Sequence, residues 1–301
     1  MTEATVRKAT REDHEDVRAF TEDTWADRSV GDYIPEVFPR WVDADGEDQR
    51  TVVADVDGTA VGVCQATILS PWEGWLQGMR VHPDHRGAGI GAAMVETLFE
   101  WCHDRGVRTA RNMVFSWNGA GMGNSRATGF DPAIEARWAQ PTPDAGADPS
   151  LTLVEDPDAA WAHYHGSDAY DRLGGLWTDP GESWSLSAAT RERLAGLDEG
   201  RPLALQGDAG TRASTARIRV EDRDTDHGGE RTAVYGFAAW EDPAAAAALF
   251  DAIAADAASV DADATRVLIP ETARYVSDVA AARVSISDEP IFVFAADLTG
   301  R

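Results

Sequence analysis

Val81-His82-Pro83-Asp84-His85-Arg86-Gly87-Ala88-Gly89-Ile90-Gly91 decides the fold, because a strand leads into this stretch and a helix leads out of it. Before it, Trp75-Leu76-Gln77-Gly78-Met79-Arg80-Val81 is short and bulky, as a strand is, and Pro83 stops it by lacking an N–H for the ladder. After it, Ile90, Met94, Leu98 and Cys102 recur at helical spacing while Glu96, Glu100, His103 and Asp104 fall elsewhere, so one stripe faces a core. Glycines at 87, 89 and 91 let successive backbone N–H groups converge at the helix N-terminus, where unpaired donors and the positive dipole end favour an anion. In isolation the same residues would read as a glycine-rich turn. The stretch differs from a P-loop, since no Gly-Lys-Ser/Thr follows, and from a dinucleotide site, since the Gly-x-Gly-x-x-Gly spacing is missing.

Outward from this loop, Thr5–Lys8 reads as a first strand and Thr10-Arg11-Glu12-Asp13 as a capping box opening a helix that runs to about Thr24. Pro35 suits the first turn of a second helix through Phe38 and Trp41. Gln49–Asp55 and Thr59–Leu69 form a hairpin around Asp57-Gly58, the strand ending at Val81 is the fourth, and Arg108–Phe115 is a fifth. Ala133–Ala139 is expected as a sixth.

With strand, Val-x-Pro, Arg-x-x-Gly-x-Gly and helix in this order, residues 1–140 resemble the GNAT superfamily, the Gcn5-related N-acetyltransferases, at the family's motif A. The resemblance implies an α/β fold with an α+β mixed sheet and acetyl-CoA as cosubstrate, without a metal. Its pyrophosphate would lie on Arg86, Gly87, Ala88, Gly89, Ile90 and Gly91. The pantetheine arm would lie between splayed fourth and fifth strands along Met79, Arg80 and Val81, bonded by the backbone of Met79 and Val81. An N–H at or beside Met79 would polarise the thioester carbonyl, a contribution often worth a few kcal/mol in the transition state.

Beyond motif A the chain departs from the family pattern Asn-x-x-Ala-x-x-x-Tyr-x-x-x-Gly-Phe. Asn118 and Gly129-Phe130 keep the spacing, but Gly121 stands at the alanine and Ser125 at the tyrosine that protonates the leaving thiolate. Serine is too weak an acid for that role, although it can hydrogen-bond sulfur, and a thiolate with a pKa near 8.5 leaves without full protonation. Many members carry Glu where this chain has Gln77. The remaining candidates for a base are Glu73, His82, Asp32 and Tyr33, of which Glu73 and His82 also read as solvated loop residues. A weak base favours an α-amine, with a pKa of about 7.7–8.0, over a lysine amine near 10.4. Arg80 projects opposite to Met79 and Val81, where it would hold a substrate carboxylate or pair with one of the chain's acids. Asp32-Tyr33-Ile34-Pro35, Phe38 with Trp41, and Gly78–Val81 also resemble, more weakly, stretches of histidine N-acetyltransferase-like proteins.

At 301 residues the chain has room for two domains, and Pro141 to Pro149 has linker composition. The expected division is an acetyl-CoA-binding domain at 1–140, a linker at 141–150 and a second, degenerate GNAT-like domain at 151–301. There the expected strands, including 214–220, 232–240 and 266–269, and a helix at 243–258 repeat the first-half order, but Glu241-Asp242-Pro243 stands where the glycine loop should be. His163, Tyr164, His165 and Tyr170 read as packing residues or as contributors to an acceptor pocket. The two cysteines, Cys64 and Cys102, lie within expected elements outside any metal-ligand spacing, so reduced, buried thiols are expected. No apolar run reaches membrane-span length and the start MTEATVRK is polar, so a cytoplasmic protein without membrane or nucleic-acid partners is expected, and a homodimer is left open.

These features predict transfer of an acetyl group to a small-molecule or amino-acid α-amine by direct attack in a ternary complex. The alternatives are a non-catalytic acyl-CoA sensor and an acetyltransferase of protein N-termini. The net charge of −25, from 52 Asp and Glu against one lysine and 26 arginines, is spread over both halves and reads as a halophilic surface. Its field opposes a polyanionic cosubstrate until salt screens it, the screening length falling to roughly 3 Å near 1 M. The Michaelis constant for acetyl-CoA is therefore expected to fall between low and molar KCl, and a steady rise with the fold intact throughout would contradict this reading.

Overall fold

The computed structural model describes residues 4–22, 24, 31–225 and 228–301, so the first three residues of the polar start lie outside the described residues. The chain divides into two compact units: Met1–Val114, Asn118–Pro132 and Phe294–Arg301 form the first, and Phe115–Trp117 with Ala133–Val293 form the second.

Unit 1 runs β1 (Thr5–Lys8), α1 (His14–Thr21), α2 (Ile34–Ala44), β2 (Gln49–Val56), β3 (Thr59–Ser70), β4 (Glu73–Val81), α3 (Ile90–His103), β5 (Thr109–Phe115) and α4 (Gly119–Ala127). The capping box forms, Thr10 N–H donating to Asp13 Oδ2 at 2.7 Å. Between β2 and β3, Asp57 and Gly58 both take positive φ (53° and 86°), giving the primed turn whose twist suits a hairpin. Strands β1 to β4 pair antiparallel in chain order, and β5 joins β4 in parallel, as a strand returning through a helix must. On one face Val53 and Val63 meet Val17, Phe20, Ile34 and Phe38 from α1 and α2. On the other lies α3, whose expected stripe of Ile90, Met94, Leu98 and Cys102 is buried. Burial pushes both cysteine thiols up to about 12, so they are inert packing groups.

Unit 2 contains β6 (Asp131–Gln140), β7 (Thr152–Val154), α5 (Pro157–His165), α6 (Asp168–Arg172), β8 (Leu176–Thr178), β9 (Leu186–Ala188) and α7 (Arg191–Ala195). It continues with β10 (Arg201–Gly207), β11 (Gly210–Thr225), β12 (Gly228–Trp240), α8 (Pro243–Ser259), β13 (Ala264–Pro270), α9 (Ala273–Ala281), β14 (Ser285–Ile286) and most of the last strand, β15 (Ile291–Asp297). The order β10-β11-β12-α8-β13-α9 repeats β2-β3-β4-α3-β5-α4, with β12 and β13 again parallel.

One element lies elsewhere than its sequence position suggests. Residues 133–139 were expected in the first domain, yet from Ala133 onward β6 belongs to unit 2, where Ala136–Ala139 pairs antiparallel with Val267–Pro270. Beside β5, unit 1 has the C-terminal stretch of β15 instead, and Leu298 N–H donates to Arg108 O at 2.8 Å. Alternation along a strand reports which face is buried and carries no information about which sheet it joins. Residues 141–150 lack regular structure but are held by bonds: Thr265 Oγ donates to Pro141 O at 2.5 Å and Asp144 N–H to Ala254 O at 3.0 Å.

Gly78 is the position in β4 that least tolerates a side chain. Its φ is +68°, and a Cβ there would stand 2.5 Å from the Trp41 ring and 2.9 Å from Ile34 Cδ1. Gly87 has a similar φ of +77° but open space around it. Gly78→Ala is therefore expected to cost roughly 2–4 kcal/mol, backbone strain plus overpacking, and Gly87→Ala only about 1 kcal/mol. Urea unfolding of both variants checks the difference; equal losses would show that Trp41 imposes no constraint.

Candidate active site

The loop at the end of β4 has the geometry of an anion cradle. Gly87 and Gly89 take φ of +77° and +80°, and Gly89 caps α3. The first bond of that helix is Ala93 N–H to Gly89 O at 3.0 Å. The N–H groups of Ile90, Gly91 and Ala92 precede it and have no partner within their own helix. With the helix dipole behind them they suit a phosphate, and the space at Gly87 and Gly89 is open. The residues present thus fit the pyrophosphate of acetyl-CoA. Arg86 is exposed and its Nε donates to Val81 O at 3.1 Å, tying the loop back to β4. Gly91 faces α4, where a Cβ would stand 2.9 Å from Asn124 Oδ1.

Strands β4 and β5 pair only at Glu73–Trp75 against Thr109–Arg111. Past that point β4 bulges: Gly78 and Met79 together oppose Cys64 of β3, while Gln77 and Arg80 pair with Gln65 and Val63. The bulge re-aims the chain, so Met79 approaches Gly91, its Sδ 3.8 Å from where a Cβ would be. An unladdered β4 edge with a bulge offers backbone donors and acceptors to an extended arm and an N–H to a carbonyl oxygen.

The expected acid–base residues lie in separate environments. Glu73 is buried at the start of β4, where Oε1 lies 2.5 Å from Arg111 Nη1 and Oε2 accepts from Ser70 Oγ at 2.9 Å. It is a paired structural carboxylate rather than the solvated loop residue its sequence position suggests. His82 is half-buried after β4, its Nδ1 accepting the Asp84 N–H at 3.2 Å and its ring 6.0 Å from that of Phe20. Tyr33, at 40% exposure, caps α2 and lies edge-on to Trp41 at 6.2 Å. Of the two roles open to Arg80, the structure shows the ion pair: Nε and Nη2 bind Asp32 bidentately at 2.6 and 3.1 Å, and Nη1 donates to Met79 O at 3.0 Å. The Asp32 side chain is fully buried, and the Arg80 guanidinium also lies over the Tyr33 ring.

At the start of α4, Asn118 Oδ1 accepts the Gly121 N–H at 2.9 Å as a cap. A Cβ at Gly121 would lie 2.7 Å from Asn118 Nδ2, which accounts for glycine in place of the family's alanine. Ser125 is buried and reaches Asn112 of β5, whose Nδ2 donates to its Oγ at 3.1 Å. Sequence reasoning missed Asn112 and Arg111; a polar residue on each face of a strand with few other polar groups was the available signal. A cavity of about 670 Å³ lined by Asp48, Ile68, Leu69, Pro71, Asp104 and Arg105, among others, lies at the opposite end of the β3–β4 pair from the glycine loop.

In unit 2 the corresponding loop is closed. Asp242 caps α8 by accepting the Ala245 N–H at 2.9 Å, and Arg212 pairs with Glu241 and Asp242. Trp240 Nε1 donates to Asp278 at 2.8 Å against the Tyr275 ring. Tyr164 is core, stacked on Phe237 at 3.9 Å, and His163 bonds Ser214 at 2.9 Å with burial lowering its pKa. Among the described residues, none of the helices is long and apolar enough to cross a membrane.

Comparison with known proteins agrees with this geometry. Over the whole chain the fold is similar to that of a GCN5-related N-acetyltransferase from Sphaerobacter thermophilus, with a TM-score of 0.60 and 14% identity over 98% of this chain and 96% of that one. It is also similar to a candidate acetyltransferase from Thermoplasma acidophilum, with a TM-score of 0.56 and 16% identity over 97% and 99% of the two chains. Residues 14–123, which span the cradle, both parted strands and the start of α4, match the family model of the acetyltransferase (GNAT) family. Through these residues the first unit is similar to the GNAT family, and the fold of the whole chain is similar to that of the two acetyltransferases.

Proposed function

We propose that unit 1 transfers an acetyl group from acetyl-CoA to the α-amine of a small molecule or amino acid, by direct attack within a ternary complex. The observation that carries this reading is the pairing of the Gly87–Gly91 cradle with the β4 edge that parts from β5 after Trp75. Acetyl-CoA, when bound, supplies an activated acyl thioester. The chain's own residues bind and orient. First-turn N–H groups of α3 take the phosphate charge, the edge of β4 from Gln77 to Val81 takes the extended arm, and an N–H at the Gly78-Met79 bulge faces a carbonyl oxygen. Ser125 and Asn112 form a neutral polar pair beside α4 that can donate one hydrogen bond to sulfur.

None of these groups is a strong base. Glu73 is committed to Arg111, and His82 uses Nδ1 for Asp84, leaving Nε2 as the ring atom able to take a proton. This favours an acceptor that is already partly neutral, hence an α-amine. Both thiols are buried and protonated, which supports attack on the thioester without an acyl-cysteine. We assign unit 2 no acetyl transfer of its own, because Asp242 occupies the helix end an anion would need. The acidic surface suits a salt-rich cytoplasm, with small molecules as the partners.

Release of coenzyme A from acetyl-CoA, followed at molar KCl against free L-amino acids and di- and tripeptides, tests the proposal. Turnover with an α-amine is expected, with kcat/KM rising to about pH 8 and then levelling as the amine loses its proton. A rise continuing towards about pH 10 would indicate a lysine-type acceptor instead. Absence of turnover while calorimetry shows acetyl-CoA bound would favour the sensor. Cys64→Ala and Cys102→Ala are each expected to keep kcat within about threefold, and a hundredfold loss in a folded variant would reinstate a covalent route.

A further inference from the structure

We infer that the side-chain amide of Asn124 is a binding residue for the phosphate end of acetyl-CoA, and that its neutrality is what lets it serve there. The inference rests on the acetyl-CoA-binding part of the reading above. Asn124 lies on α4, six residues after the cap Asn118. Its Oδ1 stands 2.9 Å from where a Cβ on Gly91 would be, and Met79 Sδ stands 3.8 Å from the same point. The amide thus meets the first turn of α3 where the β4 bulge also reaches it. Asn124 is half-buried; Thr128 bonds its backbone carbonyl, while its side chain takes no part in the hydrogen bonds among the described residues. Asn118 differs, because its Oδ1 already accepts the Gly121 N–H. Of the two asparagine amides on this helix, that of Asn124 is the one still able to take a ligand.

Unit 2 contains the same arrangement with its space filled. Counted from the helix caps, Asp278 stands on α9 six residues after Thr272, as Asn124 stands on α4 six residues after Asn118. Trp240 stands two residues before Asp242, the cap of α8, as Gly87 stands two residues before Gly89, the cap of α3. The indole of Trp240 lies between the two helices of unit 2, its ring 5.6 Å from that of Phe250 on α8 and 4.7 Å from that of Tyr275 on α9, and its N–H donates to Asp278 at 2.8 Å. The side chain at this register of the second helix therefore bonds what lies in front of the first. In unit 1 a Cβ at Gly87 would meet nothing within 4 Å, and the residue at that register is an amide instead of a carboxylate. A carboxylate suits an indole N–H, which can only donate, but it would repel an ionised phosphate, which can only accept. An amide offers the phosphate an N–H and leaves the positive end of the helix dipole uncancelled.

Calorimetry of coenzyme A binding tests the assignment, with Asn124→Ala and Asn124→Asp as the variants. Aspartate has nearly the shape of asparagine, so a packing role would leave Asn124→Asp near the wild type and make Asn124→Ala the worse of the two. The binding role predicts the reverse order. Kd is expected to rise about tenfold in Asn124→Ala, which loses a donor, and about a hundredfold in Asn124→Asp, which also sets a carboxylate against the phosphates. Urea unfolding without ligand should place Asn124→Asp no lower than the wild type, because a negative charge suits a helix N-terminus. Affinity lost without stability lost is a signature that a structural role would not give. A Kd within twofold of the wild type in either variant, or a larger loss in Asn124→Ala than in Asn124→Asp, overturns the role of Asn124 alone. Failure of the wild type itself to bind coenzyme A overturns the acetyl-CoA reading and this assignment with it.

Discussion

The arrangement of unit 1 depends on one constraint: β4 must stop bonding to β5 after three pairs without leaving its own backbone unsupported. The bulge at Gly78-Met79 is how the strand meets it. Gly78 supplies a positive φ that other residues resist, and Trp41 and Ile34 close over the place where its side chain would be. Arg80, just beyond, ties the bulge down from both sides, reaching back to Met79 O and across to the buried carboxylate of Asp32. A buried pair of this kind adds little net stability, because desolvation offsets much of the attraction, but losing either partner is costly. Its value here is geometric, since it holds the parted strand in one conformation beside the glycine loop.

Electrostatics explains why the candidate anion site uses so little formal charge. In a chain of net charge −25, arginines are drawn into pairs with carboxylates: Arg80 with Asp32, Arg111 with Glu73, Arg7 with Asp13 and Asp55. An anion site built from arginine side chains would compete with those carboxylates. Peptide N–H groups at a helix end cannot be titrated or captured by a distant acid, and their orientation is set by the backbone. A cradle of glycines would therefore keep its affinity for an anion in an acidic protein, while the global field would act on approach and respond to salt.

How much of this could be read in the sequence follows from how local each feature is. The cradle, the α3 stripe, the Asp57-Gly58 turn and the Thr10–Asp13 capping box each depend on residues within one or two turns of one another, and all formed as their spacing implies. The partner of Arg80 was left open because Asp32 lies 48 residues away and the chain offers many other acids. Glu73 reads in the sequence as a candidate base or a solvated loop residue because its pairing depends on Arg111, which periodicity places on a strand without naming the neighbouring strand. Residues 131–140 were recognisable as a strand, but the sheet such a strand joins is set by long-range pairing. The hydrogen bonds linking Gln77 to Gln65, Gln65 to Thr51 and Thr51 to Asp45 span a loop and three strands, and single-residue preference would sooner have marked Gln65 as a water-exposed strand residue than as a wholly buried one.

The two units of the chain show how few residues separate an open helix end from a closed one. Both run strand, strand, strand, helix, strand, helix, with a parallel pair flanking the first helix. At the strand end of unit 1, small residues leave the helix donors open. At the strand end of unit 2, Asp242 supplies its own carboxylate to those donors and Trp240 fills space against Tyr275 and Asp278. An aspartate cap stabilises a helix by about 1 kcal/mol and occupies the donors that would otherwise hold a phosphate. The same backbone thus trades a ligand for a side chain, and the topology is indifferent to which one it holds. What distinguishes unit 1 accordingly lies in Gly87, Gly89 and the Gly78-Met79 bulge, since the architecture it shares with unit 2 is compatible with having no site at all.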